Sequence, residues 1–476
     1  MHKRISSSLR LFLCAVALFS IGGLCAAAPT RVAVVGDSIT CGVGTSTPAW
    51  DSYPSQVQRM LGGDYLIGNF GDSGCTLLKH GDKPYQQQGA FRQAREFKPD
   101  IVVIMLGTND AKPQNWKFKD QFLGDYKDLI RQFKEVPSKP RIYICRPPYI
   151  SKQGSDFINA PSLLEQLPLI DAIAKDEGIG LIDAYGSIAE KDKLLPDGVH
   201  PNTAGATEIA KVVYAGLAGK PWEGTIPNEL LSDWNGYQKR DFLLNGRTAI
   251  LVAPKKALQG KPWIWRPQFF GAFPAVDIAL LAEGYHVAYT DLQNSFGAPS
   301  AIKVMDGFYD YMTQTQGLAA RVVLEGFSRG GLFSLNWAAR NPGKVSALYL
   351  DAPVCDFNSW PGGKGKGKGS PVDWKCCLEL YKLTEADALN SPLIPLNNLK
   401  AIAEAKIPII AVAGDADDVV PMDENILILE KRYHDLGGLL ELIVKPGVGH
   451  HPHSLTDPTP VVKFLLRNAI KPTAPQ

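Results

Sequence analysis

The stretch LLPDGVHPNTAGA, residues 194 to 206, places Asp197 three residues before His200, behind a proline and ahead of a glycine, and then breaks into small residues. A carboxylate and an imidazole on one loop can serve as an orienting acid and a base if a nucleophilic hydroxyl reaches the imidazole from elsewhere. Taken alone, a D-x-x-H is commonly just a capped turn with solvated polar groups. Three further positions change that reading: Ser38 in GDSIT, Gly74 in NFGDSGCT and Asn109 in GTND. Each alone is open to a plain reading, as a helix cap, a backbone necessity or a loop amide. Together they offer a hydroxyl, groups able to donate hydrogen bonds, and an Asp/His pair, which is the inventory of acyl transfer. A second constellation lies further on. VVLEGFSRGGLFSLNWAAR reads as a strand, a G-x-S-x-G turn and a helix, so Ser328 is expected at a sharp turn that Gly326 and Gly330 let close without side-chain clashes. GDADDVVP and KPGVGHHPHS follow later apolar runs, giving the order Ser, Asp, His.

The elements that must position these groups fall into two α/β blocks. With 476 residues the chain exceeds what one core usually organises, so two domains are expected. Short apolar runs in the first block, RVAVVGDSIT, DIVVIMLGTND, RIYICRPPY and GIGLIDAYG, have the length of buried strands, and helix-like segments separate them. Such alternation predicts a parallel sheet covered on both faces, with ligands at the carboxyl ends of the strands, where Ser38, Asn109, Asp197 and His200 fall. The pattern is lost over KPWEGTIPNELLSDWNGYQKR and restarts at DFLLNGRTAILVAP, where Asn245 and Gly246 signal a hairpin. We therefore expect a first domain over 29–222 and a second over 223–476.

The first block resembles the GDSL or SGNH hydrolase family from Arg31 to about Gly219, with Ser38, Gly74, Asn109 and His200 matching its four named residues in order. The resemblance implies a flavodoxin-like three-layer α/β/α fold. It makes Ser38 the nucleophile, His200 the base and Asp197 its orienting acid, with the Ser38 and Gly74 amides and the Asn109 side chain as oxyanion donors. The second block resembles the α/β-hydrolase superfamily from about residue 227 to 472. That implies Ser328 as nucleophile and Asp417 as acid, which fits a G-x-x-D-x-x-V-P position better than Asp415 or Asp418. His450, after Gly449, is the first choice of base, with His451 and His453 as alternatives. The amide of Arg329 is the expected oxyanion donor, joined by one near Gln268 or Phe269. GFSRGG is also similar, locally, to the serine–arginine elbow of glucuronoyl esterases, although Phe327 and Gly331 depart from their fuller motif.

These resemblances together imply a serine carbohydrate esterase with two sites and no cofactor. The first would remove acetyl groups from a polysaccharide or oligosaccharide; the second would cleave another acetyl ester, or a methyl or sugar-acid ester of a uronate. A peptidase of the prolyl-oligopeptidase kind in the second domain, and a non-catalytic binding module in the first, are the competing readings. Lys364, Lys366 and Lys368 alternate with glycines in a cationic loop that either contacts an anionic polymer or is simply solvated. Bridges are conceivable between Cys355 and Cys376 or Cys377, and between Cys41 and Cys75. No Cys/His spacing resembles a metal site. The first 28 residues have a basic start, a short apolar run and small residues, and read as a secretory signal peptide, with a lipoprotein reading of Cys25 the weaker option; a secreted or periplasmic location is expected. Without Lys3, Arg4 and Arg10 of that segment the formal charge of +2 becomes −1, which leaves no electrostatic footprint for nucleic acid. No later run is long enough to span a bilayer.

Overall fold

The computed structural model describes residues 28–151 and 158–469, and the expected signal segment lies outside the described residues. Two sheets organise the chain, giving a two-domain α/β architecture. The first sheet comprises β1 (Thr30–Gly36), β2 (Tyr65–Gly71), β3 (Ile101–Met105), β4 (Arg141–Arg146) and β5 (Gly180–Asp183). Its order is 2-1-3-4-5 and all neighbours are parallel, the flavodoxin-like arrangement. β3 is IVVIM and buried at every position, because helices cover both faces. Phe122–Lys134 and Ala160–Glu177 close one core with Leu129, Phe133 and Ile170; Tyr53–Leu61 and Thr203–Ala218 close the other with Val57, Ile209 and Val213. β2 is absent from the apolar runs of the sequence because, as an edge strand, it is only half buried along its length.

The second sheet contains β6 (Glu229–Trp234), β7 (Tyr237–Leu244), β8 (Arg247–Ala253), β9 (Trp263–Arg266), β10 (His286–Thr290), β11 (Val322–Phe327), β12 (Val345–Asp351), β13 (Ile409–Gly414) and β14 (Leu440–Lys445). Its order is 14-13-12-11-9-10-8-7-6. β9 to β14 run parallel, whereas β6, β7 and β8 form an antiparallel meander joined to β10. Two Asn-Gly turns build the meander. Asn235 and Gly236 have φ of 54° and 81°, Asn245 and Gly246 of 50° and 75°, so both pairs have the positive φ of a tight hairpin turn. The sequence shows the second turn but loses the pattern over the first, because β6 exposes every other residue and reads as polar linker. That segment is docked: Arg59 Nε donates to Pro227 O at 3.0 Å, and its guanidinium lies 4.2 Å over the Trp50 ring.

Neither conceivable disulfide forms, and all six described cysteines are free. The buried Cys355 donates its thiol to Pro353 O at 3.5 Å, whereas Cys376 turns towards Asn294 O at 3.9 Å and Cys377 enters the core. Among the described residues no helix is long and apolar enough to cross a membrane.

Candidate active sites

Ser38 begins a single helical turn immediately after β1, and Asp37 caps that turn by accepting Ile39 N–H at 3.0 Å. Its Oγ lies 2.8 Å from His200 Nε2, and His200 Nδ1 lies 2.7 Å from Asp197 Oδ2. The other Asp197 oxygen accepts the backbone N–H of Val199 at 3.0 Å and of His200 at 2.7 Å. The three-residue spacing therefore makes one carboxylate both the brace of its loop and the partner of the imidazole. Burial pushes the Asp197 carboxyl up, but the bonds from the His200 ring and the two amides outweigh it and hold it below the usual carboxylate range. The Asp197 side chain is 56% exposed and that of His200 25%, so this site is open.

Gly74 has φ of 83°, a conformation that glycine adopts without strain. The amides of Ser38 and Gly74 donate to no acceptor among the described residues. Asn109 Nδ2 donates to Cys75 O at 3.1 Å and makes a long 3.5 Å contact with Asp37 Oδ2. Next to it, Asp110 accepts Leu77 N–H at 2.9 Å and Leu78 N–H at 2.8 Å, tying the loop after Gly74 to the turn after β3. Burial pushes Asp37 up to about 6 and Asp110 up to about 7.

In the second domain Ser328 follows β11 with φ of 49°, a costly conformation for a side chain with a Cβ. The turn is held on both sides, with Ser328 N–H donating to Asp351 O and Val354 N–H donating to Ser328 O, each at 2.9 Å. Ser328 Oγ is 2.9 Å from His450 Nε2, and His450 Nδ1 is 2.7 Å from Asp417 Oδ2. Asp417 Oδ1 accepts the amides of Val419 at 2.9 Å and Val420 at 2.8 Å, the same bracing seen at Asp197. Burial raises the Asp417 carboxyl, and the bonds from His450 and those amides bring it below its ordinary value. His450 and Asp417 are only 9% and 1% exposed, so this site is enclosed.

The alternatives are occupied elsewhere. Asp415 accepts Gly447 N–H at 2.6 Å, Asp418 pairs with Lys368, His451 is exposed, and His453 bonds Asp351 Oδ1 at 2.7 Å. The nitrogens of His450, His451 and His453 lie within 4.8 Å of one another, but both nitrogens of His450 and Nδ1 of His453 already have partners. The expected need for glycine in the elbow holds at Gly326, whose Cβ would stand 3.0 Å from Leu350 Cδ2 and Ser334 Oγ. It fails at Gly330, where a Cβ would meet nothing closer than Gln268 Cβ at 3.8 Å. The tight position is Gly331, with Val354 O at 2.6 Å, because the new helix starts against the chain leaving β12.

Arg329, directly after Ser328, has its side chain held by three neighbours. Its Nε donates to Gln268 Oε1 at 3.1 Å, its Nη1 to Asn294 Oδ1 at 2.7 Å, and the guanidinium lies 5.1 Å from the Phe269 ring centre. The backbone N–H groups of Arg329 and Gln268 donate to no acceptor among the described residues. Sequence reasoning missed Asn294, which carries no signal beyond being a loop amide. It also missed the buried Asp351–His453 pair beside His450, although an acid ending the apolar run VSALYLD was a visible cue.

Each lysine of the cationic loop is paired with an acid, and Lys366 and Lys368 remain largely exposed. Lys364 pairs with Glu385 at 2.7 Å, Lys366 with Asp423 and Lys368 with Asp418. Its backbone lies against the loop carrying Asp417. Lys368 N–H donates to Asp418 O at 2.9 Å, Lys366 N–H donates to Glu424, and Ser359 Oγ donates to Glu424 Oε2 at 2.7 Å. A Cβ on Gly367 would stand 2.7 Å from Pro421 Cδ and 2.9 Å from Val419 O. The glycines permit this close approach, and Lys366 and Lys368 pair with acids of the segment they strap down, whereas Lys364 pairs with Glu385 outside it.

Residues 34–207 match the GDSL-like Lipase/Acylhydrolase family. An acetylxylan esterase of Xylanibacter ruminicola is 35% identical over 205 residues, covering 39% of this chain and 43% of that protein. A multidomain esterase of Ruminococcus flavefaciens is 25% identical over 120 residues, covering 25% of this chain and 15% of its own length. This chain thus spans less than half the length of either relative. Among solved structures, Est1E from Butyrivibrio proteoclasticus is similar with a TM-score of 0.35 and 19% identity, over 51% of this chain and 99% of that one. The first part of this chain, residues 34–207, is a GDSL-like lipase/acylhydrolase domain.

Proposed function

We propose that the protein is a carboxylic ester hydrolase with two serine sites acting on a decorated glycan. The observation that carries this reading is the recurrence, in two unrelated sheets, of one hydrogen-bonded chain from serine through imidazole to a braced carboxylate: Ser38–His200–Asp197 and Ser328–His450–Asp417. In each site the serine Oγ attacks the ester carbonyl while the imidazole Nε2 takes its proton and the carboxylate stabilises the imidazolium. The oxyanion is held in the first site by the Ser38 and Gly74 amides and by Asn109, which gives up its long contact with Asp37. In the second it is held by the amides of Arg329 and Gln268. Collapse of the intermediate breaks the bond to the alcohol oxygen, which takes the proton from the imidazolium. Water, activated by the same imidazole, then releases the acid.

For the first domain the substrate is an acetyl ester of a polysaccharide, and its open site suits a substituent on a bulky chain. The acetylxylan esterase likeness supports an acetylated xylan as the first polymer to try. For the enclosed second site the reading is another glycan ester, either acetyl or the methyl or sugar-acid ester of a uronate. The catalytic residues Ser38, Asp197, His200, Ser328, Asp417 and His450 belong to this proposal, as do the division near residue 222 and export from the cytoplasm. The test is release of acetate and methanol from acetylated and methylated plant polysaccharides by wild type, Ser38→Ala, Ser328→Ala and the double variant. Each single variant should lose a different product or substrate. Retention of both products by the double variant would sink the proposal.

A further inference from the structure

A cleft of about 400 Å³, within the size range of small-molecule sites, roughly 300–1,000 Å³, lies between the segment Thr47–Ala49 of the first domain and the carboxyl edge of the second sheet. Its first-domain wall includes Thr47, from the segment that follows Ser38, and its second-domain wall includes Asn245, Arg247 and Thr248 with Asp291 and Gln293. Because β8 runs antiparallel to β10, with Ala249 opposite Thr290, the start of β8 lies at the end of β10, on the edge that also carries Ser328.

Contacts lead from this cleft into both sites. On one side, a Cβ on Gly44 would stand 3.0 Å from His200 Cβ, Ser46 N–H donates to Thr203 Oγ1 at 3.1 Å, and Thr47 Oγ1 makes a long 3.4 Å contact with Gly246 O. On the other, Gln268 Nε2 donates to Gln293 O at 3.2 Å, and Gln268 and Asn294 together hold the Arg329 guanidinium next to Ser328. The cleft walls carry spare hydrogen-bonding capacity: the side-chain amides of Asn245 and Gln293 and the hydroxyl of Thr248 bond nothing among the described residues. Amides and hydroxyls that both donate and accept are matched to vicinal sugar hydroxyls, which do the same, and the two charged side chains of the wall, Arg247 and Asp291, are of opposite sign.

From this we infer that the inter-domain cleft binds the unesterified backbone of a neutral oligosaccharide chain and so presents neighbouring ester-bearing residues to the two serines. The inference rests on the glycan-esterase reading above. Asn245 and Gln293 have φ of 50° and 49°, so Asn245→Gly and Gln293→Gly remove their amides without backbone strain, and Thr248→Val removes a hydroxyl at constant shape.

The experiment titrates the full-length Ser38→Ala/Ser328→Ala protein, which turns nothing over, with ester-free xylohexaose and cellohexaose by calorimetry. The same titration is repeated with the three cleft substitutions added. At least one of the two sugars should bind, with affinity falling tenfold or more in the cleft variant. In the active protein the same three substitutions should raise KM on an acetylated polysaccharide and leave turnover of a small aryl acetate unchanged. Equal affinity with and without the cleft side chains, or binding of neither sugar, overturns the cleft inference while the esterase reading stands on its own products. Absence of ester hydrolysis by the wild type overturns both.

Discussion

Gly367 offers a sharp test of what the lysine loop does. In Gly367→Ala the new methyl would meet Pro421 Cδ at 2.7 Å and Val419 O at 2.9 Å, where an ordinary Cβ contact begins at 3.4 Å. Neither atom is the end of a flexible side chain, so the acid loop must retreat by about 0.7 Å. Val419 also supplies one of the amides that brace Asp417. The same retreat applied to the 2.7 Å bond between Asp417 and His450 stretches it to about 3.4 Å, past the useful range of a hydrogen bond. A misplacement of this order costs about 10²-fold in rate, or about 2.7 kcal/mol of transition-state stabilisation. Lys366→Ala and Lys368→Ala remove ion pairs whose lysines are 77% and 72% exposed, and each should change the rate by less than about threefold. The assay is hydrolysis of a small aryl ester and of polysaccharide in a Ser38→Ala background, where only the second site reports. The reasoning fails if Gly367→Ala retains full activity. It fails equally if the two lysine variants lose turnover on polysaccharide while the small ester is unaffected, since the lysines would then touch substrate.

Three more outcomes follow from buried charge and from protonation. Arg266 and Asp277 form an ion pair that is at most 1% exposed, and Glu325 Oε1 lies 3.6 Å from the same guanidinium nitrogen; burial pushes the Glu325 carboxyl well above its ordinary value. Asp277→Asn, which removes the carboxylate hydrogen-bonded to the guanidinium, should cost about 3–5 kcal/mol in urea unfolding, and Glu325→Gln, at the longer contact, should cost less; equal costs would refute this. Because Asp197 and Asp417 are both held below the ordinary 3.8, the acid limb of kcat/KM at each site should report a single proton, with a slope of one on a log plot; a slope of two would contradict that assignment. Asp37 and Asp110, raised to about 6 and about 7, contribute stability that is full below pH 3.8 and is lost as the pH rises through those values. The thermal midpoint difference between wild type and Asp110→Asn should accordingly shift between pH 5 and pH 8, and a constant difference would refute the assignment.

The candidate triads were legible because each is announced by local chemistry. D-x-x-H closes its own loop through the amides of Val199 and His200, and G-x-S-x-G marks a strand-to-helix turn whose backbone geometry is written in its small residues. The parallel core strands were equally plain, since IVVIM and its counterparts are apolar at every position when both faces are covered. β2 and β6 were not, because edge strands show one face to solvent and lose the continuous apolar run.

Sequence by itself thus determined the two-block α/β plan, the order of elements and the set of side chains able to do chemistry, all of which depend on near neighbours in the chain. Tertiary structure alone decided which member of each ambiguous group is used. His450 rather than His453 reaches Ser328, because Asp351, a hundred residues earlier in the chain, holds His453 in the core. Lys366 and Lys368 spend their charge on Asp423 and Asp418, because the strap they belong to folds back onto the acid loop. Gly331 rather than Gly330 joins Gly326 as a glycine the elbow needs, because the chain after β12 passes within 2.6 Å of where its Cβ would be. Such choices are fixed by partners that are distant in sequence and adjacent only after the sheets have formed, and no local pattern encodes that adjacency.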